Sequence, residues 1–167
     1  MFILPLLIFI LSIYAIPKAN DLVKAPQIKT QSIYTSPEVK KINNFLKTRN
    51  SPLASASADF VIFGNQFKIP PDIMVGISKA ESNFEKSGNT TDNNPFGFAC
   101  FDGQACPRFR DYRTAIWHLA KTLGTKPAYA KFRETQRLED LSASYLTGNR
   151  KRWQETIENV REELELE

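Results

Sequence analysis

The sequence of 167 residues predicts a mostly α-helical domain, interrupted by one irregular or small β lobe and preceded by an apolar leader and a linker. After Ser51, apolar residues recur every three or four positions through most of the chain, which is typical of amphipathic helices. Between Asn83 and Arg110, Gly, Asn, Asp and Thr are frequent and no helical period is present. The length suits one domain with an appendage, and an irregular insertion of this size is usually functional.

The chain begins with an uncharged apolar segment. Residues 1–16 are mostly Phe, Ile and Leu. This is the length of a signal-peptide core and falls short of the roughly 20 residues that span a bilayer. Residues 1–17 therefore predict export, either as a cleaved signal peptide or as a short anchor on the outer face of the cytoplasmic membrane. The protein would accordingly be secreted, periplasmic or anchored, and both fates of the segment remain open.

Residues 18–50 have the composition of a flexible linker, in which one short helix is expected from Pro37. The net charge of +4 is concentrated in this region. Residues 17–50 hold seven Lys/Arg and two Asp/Glu, whereas residues 51–167 hold fifteen and sixteen. Because the folded part is nearly neutral, we expect no nucleic-acid partner.

Six helices are expected in the domain at residues 51–167, from apolar spacing and from Pro, Asp and Gly at their ends. The expected helices are 52–66, Pro70 to Ser82, Asp111 (as N-cap) to Gly124, a short one after Pro127, one marked by Leu138, Leu141 and Tyr145, and one marked by Trp153, Ile157, Val160 and Leu164, with Arg150–Arg152 as its solvated start.

The two cysteines, Cys100 and Cys106, enclose five residues that include a turn-forming Asp-Gly pair. A disulfide between them would contribute roughly 2 kcal/mol by closing a small loop, and it agrees with export. A zinc site would need four ligands, and the single histidine, His118, lies outside the loop in a helix where we expect it to be exposed. We therefore expect a disulfide, no metal and no cofactor.

Glu81 is the strongest candidate for chemistry. It follows Ile73, Ile77 and Ala80 at helical spacing and so falls on the apolar stripe of its helix. Desolvation there would raise its pKa, because burial disfavours the charged form. A glutamic acid that stays protonated near neutral pH can act as a general acid toward a glycosidic oxygen. The alternative is a helix-end glutamate that faces solvent.

Three segments in order resemble the lysozyme-like superfamily, and most closely its endo-β-N-acetylglucosaminidase branch, glycoside hydrolase family 73. They are Ala-Glu-Ser-Asn-Phe at 80–84, Asn-Asn-Pro-Phe-Gly-Phe at 93–98, and Phe-Arg-Asp-Tyr-Arg-Thr-Ala-Ile at 109–116. The resemblance covers about residues 51–165. Lytic transglycosylases share the first segment, but the Gly-Leu-Met-Gln segment that usually follows in them is missing.

This resemblance implies that residues 51–167 form a lysozyme-like glucosaminidase domain acting on the β-1,4-linked glycan strands of peptidoglycan, with Glu81 as the general acid. It further implies that substrate-binding residues are found among Ser82, Asn94, Phe96, Gly97, Phe109 and Tyr145, with Tyr112 as a further candidate for lining the cleft. For Asn94, tying the loop remains an alternative, and for Phe96 and Tyr145 core packing does.

A second catalytic carboxylate is left open among Glu85, Asp92 and Asp102. None is needed if the N-acetyl group of the substrate assists, or if a lyase route yields an anhydro sugar. Two other functions remain: a lytic transglycosylase that serves an envelope machine, and a glycan-binding module of the same fold without catalysis.

Overall fold

The computed structural model describes residues 31–87, 92–98, 108–146 and 148–166. The leader at 1–17 and the expected Cys100–Cys106 disulfide lie outside these residues, as does Asp102. Within them, every regular element is helical, which confirms the expectation of a mostly α fold, and no strand occurs in the described parts of the 83–110 lobe. None of the described helices combines the length and the apolar character needed to cross a bilayer.

Eight α-helices occur in the described residues, together with 3₁₀ turns at Pro52–Ala56 and Pro127–Tyr129. The helices are α1 (Gln31–Tyr34), α2 (Pro37–Thr48), α3 (Ser57–Phe67), α4 (Pro71–Ser82), α5 (Tyr112–Thr125), α6 (Ala130–Thr135), α7 (Leu138–Tyr145) and α8 (Arg150–Glu165).

The expected linker needs a correction, because its second half is part of the folded domain. Helix α2 begins as predicted at Pro37, after Ser36, whose hydroxyl oxygen accepts a hydrogen bond from the backbone N–H of Val39 at 3.3 Å. Its apolar face is buried in the main core, with Phe45 and Leu46 fully inaccessible to solvent. The folded domain therefore begins before residue 51.

The first helix expected inside the domain is also different from the prediction. Residues 52–56 form a 3₁₀ turn, and the α-helix begins only at Ser57. The Ser51 hydroxyl accepts from the N–H of Leu53 and donates to the carbonyl of Phe84. Ser51 thus caps this turn and also links it to the chain that follows α4.

Helices α4 and α8 pack closely along each other. A Cβ atom at Gly76 of α4 would lie 2.7 Å from Cγ2 of Ile157 in α8, so only glycine allows this approach. The contact brings the C-terminal end of α4, where Glu81 lies, beside the first turns of α8. Helix α5 starts as predicted, since the Asp111 carboxylate accepts from the N–H of Thr114 at 2.8 Å.

Candidate active site

Glu81 lies in the last turn of α4 and is held by a residue from α8. The indole N–H of Trp153 donates a hydrogen bond of 2.7 Å to Oε1 of Glu81. Glu81 itself is exposed, whereas Ile73 and Ile77 are buried in the core. The prediction that Glu81 falls within the apolar stripe is therefore wrong in detail: the residue lies at the edge of the stripe, where it borders open space.

The surroundings of the Glu81 carboxyl favour its protonated form. Neighbouring protein atoms displace part of its hydration, and this desolvation raises the pKa of Glu81, while the hydrogen bond from Trp153 lowers it and offsets part of the rise. The net direction is upward. A carboxyl with a raised pKa that is also open to solvent can receive and donate a proton at a ligand.

Gly97 lies directly opposite this carboxyl. Its φ of 58° is in the left-handed region, which glycine adopts without strain. A Cβ atom at this position would lie 3.7 Å from Oε2 of Glu81. The absence of a side chain at Gly97 therefore leaves room for a ligand to reach the second carboxyl oxygen of Glu81.

Tyr145 of α7 also lies near the Glu81 carboxyl. Its ring centroid is 5.2 Å from that of Trp153, and its hydroxyl lies 3.5 Å from the carbonyl oxygen of Phe96. Burial, and then the charge of Glu81, raise the pKa of Tyr145 well above its usual value. Tyr145 therefore remains a neutral hydroxyl near Glu81, and the structure brings together three predicted site residues: Glu81, Gly97 and Tyr145.

Ser82 is buried and joins α4 to the segment at 93–98. Its hydroxyl oxygen lies 2.8 Å from the carbonyl oxygen of Pro95, to which it can donate, and accepts from the backbone N–H of Glu85 at 2.8 Å. Because these protein contacts use the hydroxyl, Ser82 supports the packing of residues 93–98 against α4. In the expected Glu-Ser pair, Glu81 is therefore exposed, whereas Ser82 is buried and links α4 to residues 93–98.

Asn94, Phe96 and Phe109 are also buried. The Asn94 side chain accepts from the N–H of Phe98 at 2.9 Å and donates to its carbonyl at 3.0 Å, which closes the loop. Phe96 packs edge-on against Phe60, and Phe109 packs against Phe98. Loop closure by Asn94 and core packing of Phe96 are thus the alternatives observed, and Phe109, for which a place in the cleft was expected, is also a core residue.

His118 and Tyr112 occupy the same region of the fold. The imidazole of His118 is partly buried against the rings of Phe109 and Trp117, so the expectation of an exposed histidine is wrong. Tyr112 is half-buried, and its hydroxyl is close enough to Glu85 for that carboxylate to contribute to a raised pKa, although desolvation contributes more.

The described candidates for a second carboxylate are occupied by protein contacts. Glu85 is only 4% exposed; burial raises its pKa, and the backbone N–H of Asn94 donates to it. Asp92 forms an ion pair with Arg108 at 2.7 Å. Neither residue lines the pocket at Glu81.

The chain after Glu81 makes an unusual turn. Asn83, Phe84 and Glu85 all have left-handed backbone angles, with φ of 52°, 61° and 61°. This conformation costs an L-residue about 1 kcal/mol or more, so the turn needs external support. That support comes from Ser51, which donates to the Phe84 carbonyl at 2.9 Å, and from Phe45, whose ring meets that of Phe84 edge-on at 5.7 Å.

A pocket of about 450 Å³ opens beside Glu81, between the end of α4 and the start of α8. Trp153, Lys79 and Arg152 line it together with Glu81, and sequence reasoning assigned none of these three to the site. One signal could have pointed to Trp153: a buried indole usually finds an acceptor for its N–H. Among the described residues, no group of three or more His, Cys, Asp or Glu side chains is arranged to hold a metal ion.

Comparisons of the chain with protein-family models, with curated proteins and with solved structures found no significant match.

Proposed function

We propose that this protein is a peptidoglycan hydrolase that cleaves β-1,4 glycosidic bonds of the glycan strand, with Glu81 as the general acid. The observation that carries the proposal is the Glu81 carboxyl, which has a raised pKa, is oriented by Trp153 and opens toward a pocket of about 450 Å³. The choice of glycan rests on the resemblance of residues 80–84, 93–98 and 109–116 to the glucosaminidase branch of the lysozyme-like superfamily. Export would bring the enzyme to this substrate.

The proposed reaction begins with proton transfer from Glu81 to the glycosidic oxygen. Trp153 donates to Oε1, so Oε2, which faces Gly97, is the oxygen that carries the proton to the substrate. As the C–O bond breaks, the leaving sugar takes the proton and Glu81 becomes a carboxylate. The indole N–H then stabilises that charge, since hydrogen bonds to ionised groups are the stronger ones.

Two routes can complete the reaction. In hydrolysis, water attacks the anomeric carbon with help from a second carboxylate or from the N-acetyl group of the substrate. In the lytic route, a hydroxyl of the same sugar attacks the anomeric carbon, its proton passes to the Glu81 carboxylate, and an anhydro product forms with Glu81 again protonated. Of the candidates that the structure describes, Glu85 is buried and Asp92 is ion-paired, so neither supports a route that uses a second carboxylate. A lytic transglycosylase, which needs only Glu81, is therefore the second candidate.

The test is the Glu81→Gln variant, assayed for release of soluble fragments from purified cell walls. Glutamine keeps the size and the acceptor for Trp153 but has no acidic proton. General acid catalysis contributes roughly 10²–10⁴-fold, so the rate should fall at least about a hundredfold with the thermal transition preserved. Glu134→Gln, an exposed carboxylate on α6, is the matched control and should cleave at the wild-type rate.

The products distinguish the remaining possibilities. A hydrolase yields reducing ends, whereas a lytic transglycosylase yields anhydro ends that are lighter by one water in mass spectrometry. If the Glu81→Gln protein is folded and cleaves at the wild-type rate, Glu81 is not the acid and the proposal fails. If the wild-type protein binds walls and releases no fragment, the glycan-binding module without catalysis is the correct description.

A further inference from the structure

Two cationic side chains line the same pocket as the Glu81 carboxyl. Lys79 comes from the last turns of α4 and Arg152 from the first turn of α8. We propose that Lys79 and Arg152 bind a carboxylate of the muramyl units of the substrate and thereby select these units over neutral N-acetylglucosamine chains. This inference rests on the proposed function and adds the residues that determine specificity.

Lys79 is held in place by neutral partners. Its ammonium donates a hydrogen bond of 2.6 Å to Oδ1 of Asn83 and lies 5.2 Å from the ring centroid of Phe84. An ammonium group has three N–H donors, and this amide uses one. Lys79 therefore presents an oriented positive charge that no carboxylate of the described residues neutralises.

Arg152 is exposed and forms no ion pair with the described residues. Its neighbour Lys151 differs, since its ammonium lies 3.8 Å from Glu155 and it does not line the pocket. Basic residues in the first turn of a helix are electrostatically unfavourable for that helix. The charge of Arg152 is therefore not explained by the stability of α8, whereas binding of an anion in the pocket would account for it.

The positively charged surface extends away from Glu81. A second pocket, of about 330 Å³, shares Lys79 and Thr156 with the first one and also includes Lys86, while its one carboxylate, Glu163, forms an ion pair with Arg49. A ligand that lies along both pockets would meet Arg152, Lys79 and Lys86 in succession. An elongated ligand with carboxylates on its branches matches this distribution of charge better than a neutral chain does.

Muramyl units offer carboxylates from two sources. The lactyl group ends in a carboxylate when no stem peptide is attached, and the stem peptide carries its own carboxylates when it is present. Both present the same planar anion, which ammonium and guanidinium groups bind through charge-assisted hydrogen bonds. A chain of N-acetylglucosamine alone has no such group.

Calorimetric binding measurements on the Glu81→Gln protein test the proposal without turnover. The probes are a tetrasaccharide of alternating N-acetylglucosamine and muramic acid with free lactyl carboxylates, the same compound as lactyl amides, its stem-peptide form, and chitotetraose. Adding Lys79→Gln or Arg152→Gln should weaken binding of a carboxylate probe about tenfold, as expected for the loss of one hydrogen bond to a charged group. Binding of the lactyl amide and of chitotetraose should change less than about twofold.

Lys151→Gln is the matched control and should bind all four probes like the parent. A tenfold loss for the free lactyl probe identifies the lactyl carboxylate as the ligand, and a loss confined to the stem-peptide probe identifies the peptide. Equal losses for all probes, or none, would overturn the carboxylate site while leaving the role of Glu81 intact. If the parent binds none of the saccharides, the carboxylate site fails. The function is decided separately, and it fails if wild-type and Glu81→Gln proteins cleave walls equally.

Discussion

Helix α2 should be essential for the stability of the domain, and Phe45 is the residue at which to test this. Its side chain is fully buried, meets the ring of Phe84 edge-on at 5.7 Å, and lies 3.5 Å below the guanidinium carbon of Arg49. Replacing a buried Phe by Ala costs about 3–5 kcal/mol. Because a domain of this size is stable by about 5–15 kcal/mol in total, Phe45→Ala should remove a large part of its free energy of unfolding.

Urea unfolding followed by circular dichroism measures this effect. Lys40→Ala, an exposed substitution in the same helix, is the control and should change the free energy of unfolding by about 0.5 kcal/mol or less. A fragment of residues 51–167 lacks all four buried apolar residues of α2 and should show no cooperative transition near the wild-type midpoint. If Phe45→Ala is as stable as Lys40→Ala, or if the fragment unfolds like the full chain, the packing argument is wrong.

Two further predictions concern the site. Gly97→Ala forces alanine into the left-handed backbone region, which costs about 1 kcal/mol, and places a methyl group 3.7 Å from Oε2 of Glu81. The value of kcat/KM on cell walls should therefore fall by more than the loss of thermal stability explains. Gly148→Ala, whose Cβ would have open space around it, is the control and should match the wild type in both assays. Because the pKa of Glu81 is raised in the folded state, its protonated carboxyl adds to the free energy of unfolding. This contribution is fully present below pH 4.5, the ordinary carboxyl pKa, and is lost as pH rises through the folded-state pKa. Glu81→Gln should therefore gain thermal stability relative to the wild type between about pH 4 and about pH 8, and an unchanged difference would refute the raised pKa.

Local signals predicted most of the helices. Proline and capping residues act on the adjacent turn, so the starts of α2, α4 and α5 could be assigned from the sequence within about one residue. The assignment of residues 18–50 to a linker failed because it relied on average composition. Four apolar residues of this region recur at helical spacing, namely Val39, Ile42, Phe45 and Leu46. Their spacing indicates a buried helix face, but the polar residues between them make the average composition resemble that of a linker.

The site was predictable only where it depended on one stretch of chain. Glu81 could be singled out because helical spacing relates it to its own helix. The partner of its carboxyl, Trp153, lies 72 residues further along, and no local pattern connects two positions so far apart. For the same reason Ser82 and Asn94 could be associated with the site, but their burial could not be deduced, since it depends on how residues 93–98 fold against α4.

The groups that hold Glu81 come from both ends of the folded domain, and this affects when the acid can exist during biosynthesis. Ser51 and Phe45 support the turn after Glu81 from the N-terminal side, and Trp153 reaches the carboxyl from the last helix. A nascent chain that has not yet reached residue 153 lacks the indole donor altogether. If the chain crosses a membrane unfolded, it carries no assembled proton donor in the compartment where it is made. On the proposed function, folding itself would then be the step that makes the enzyme active.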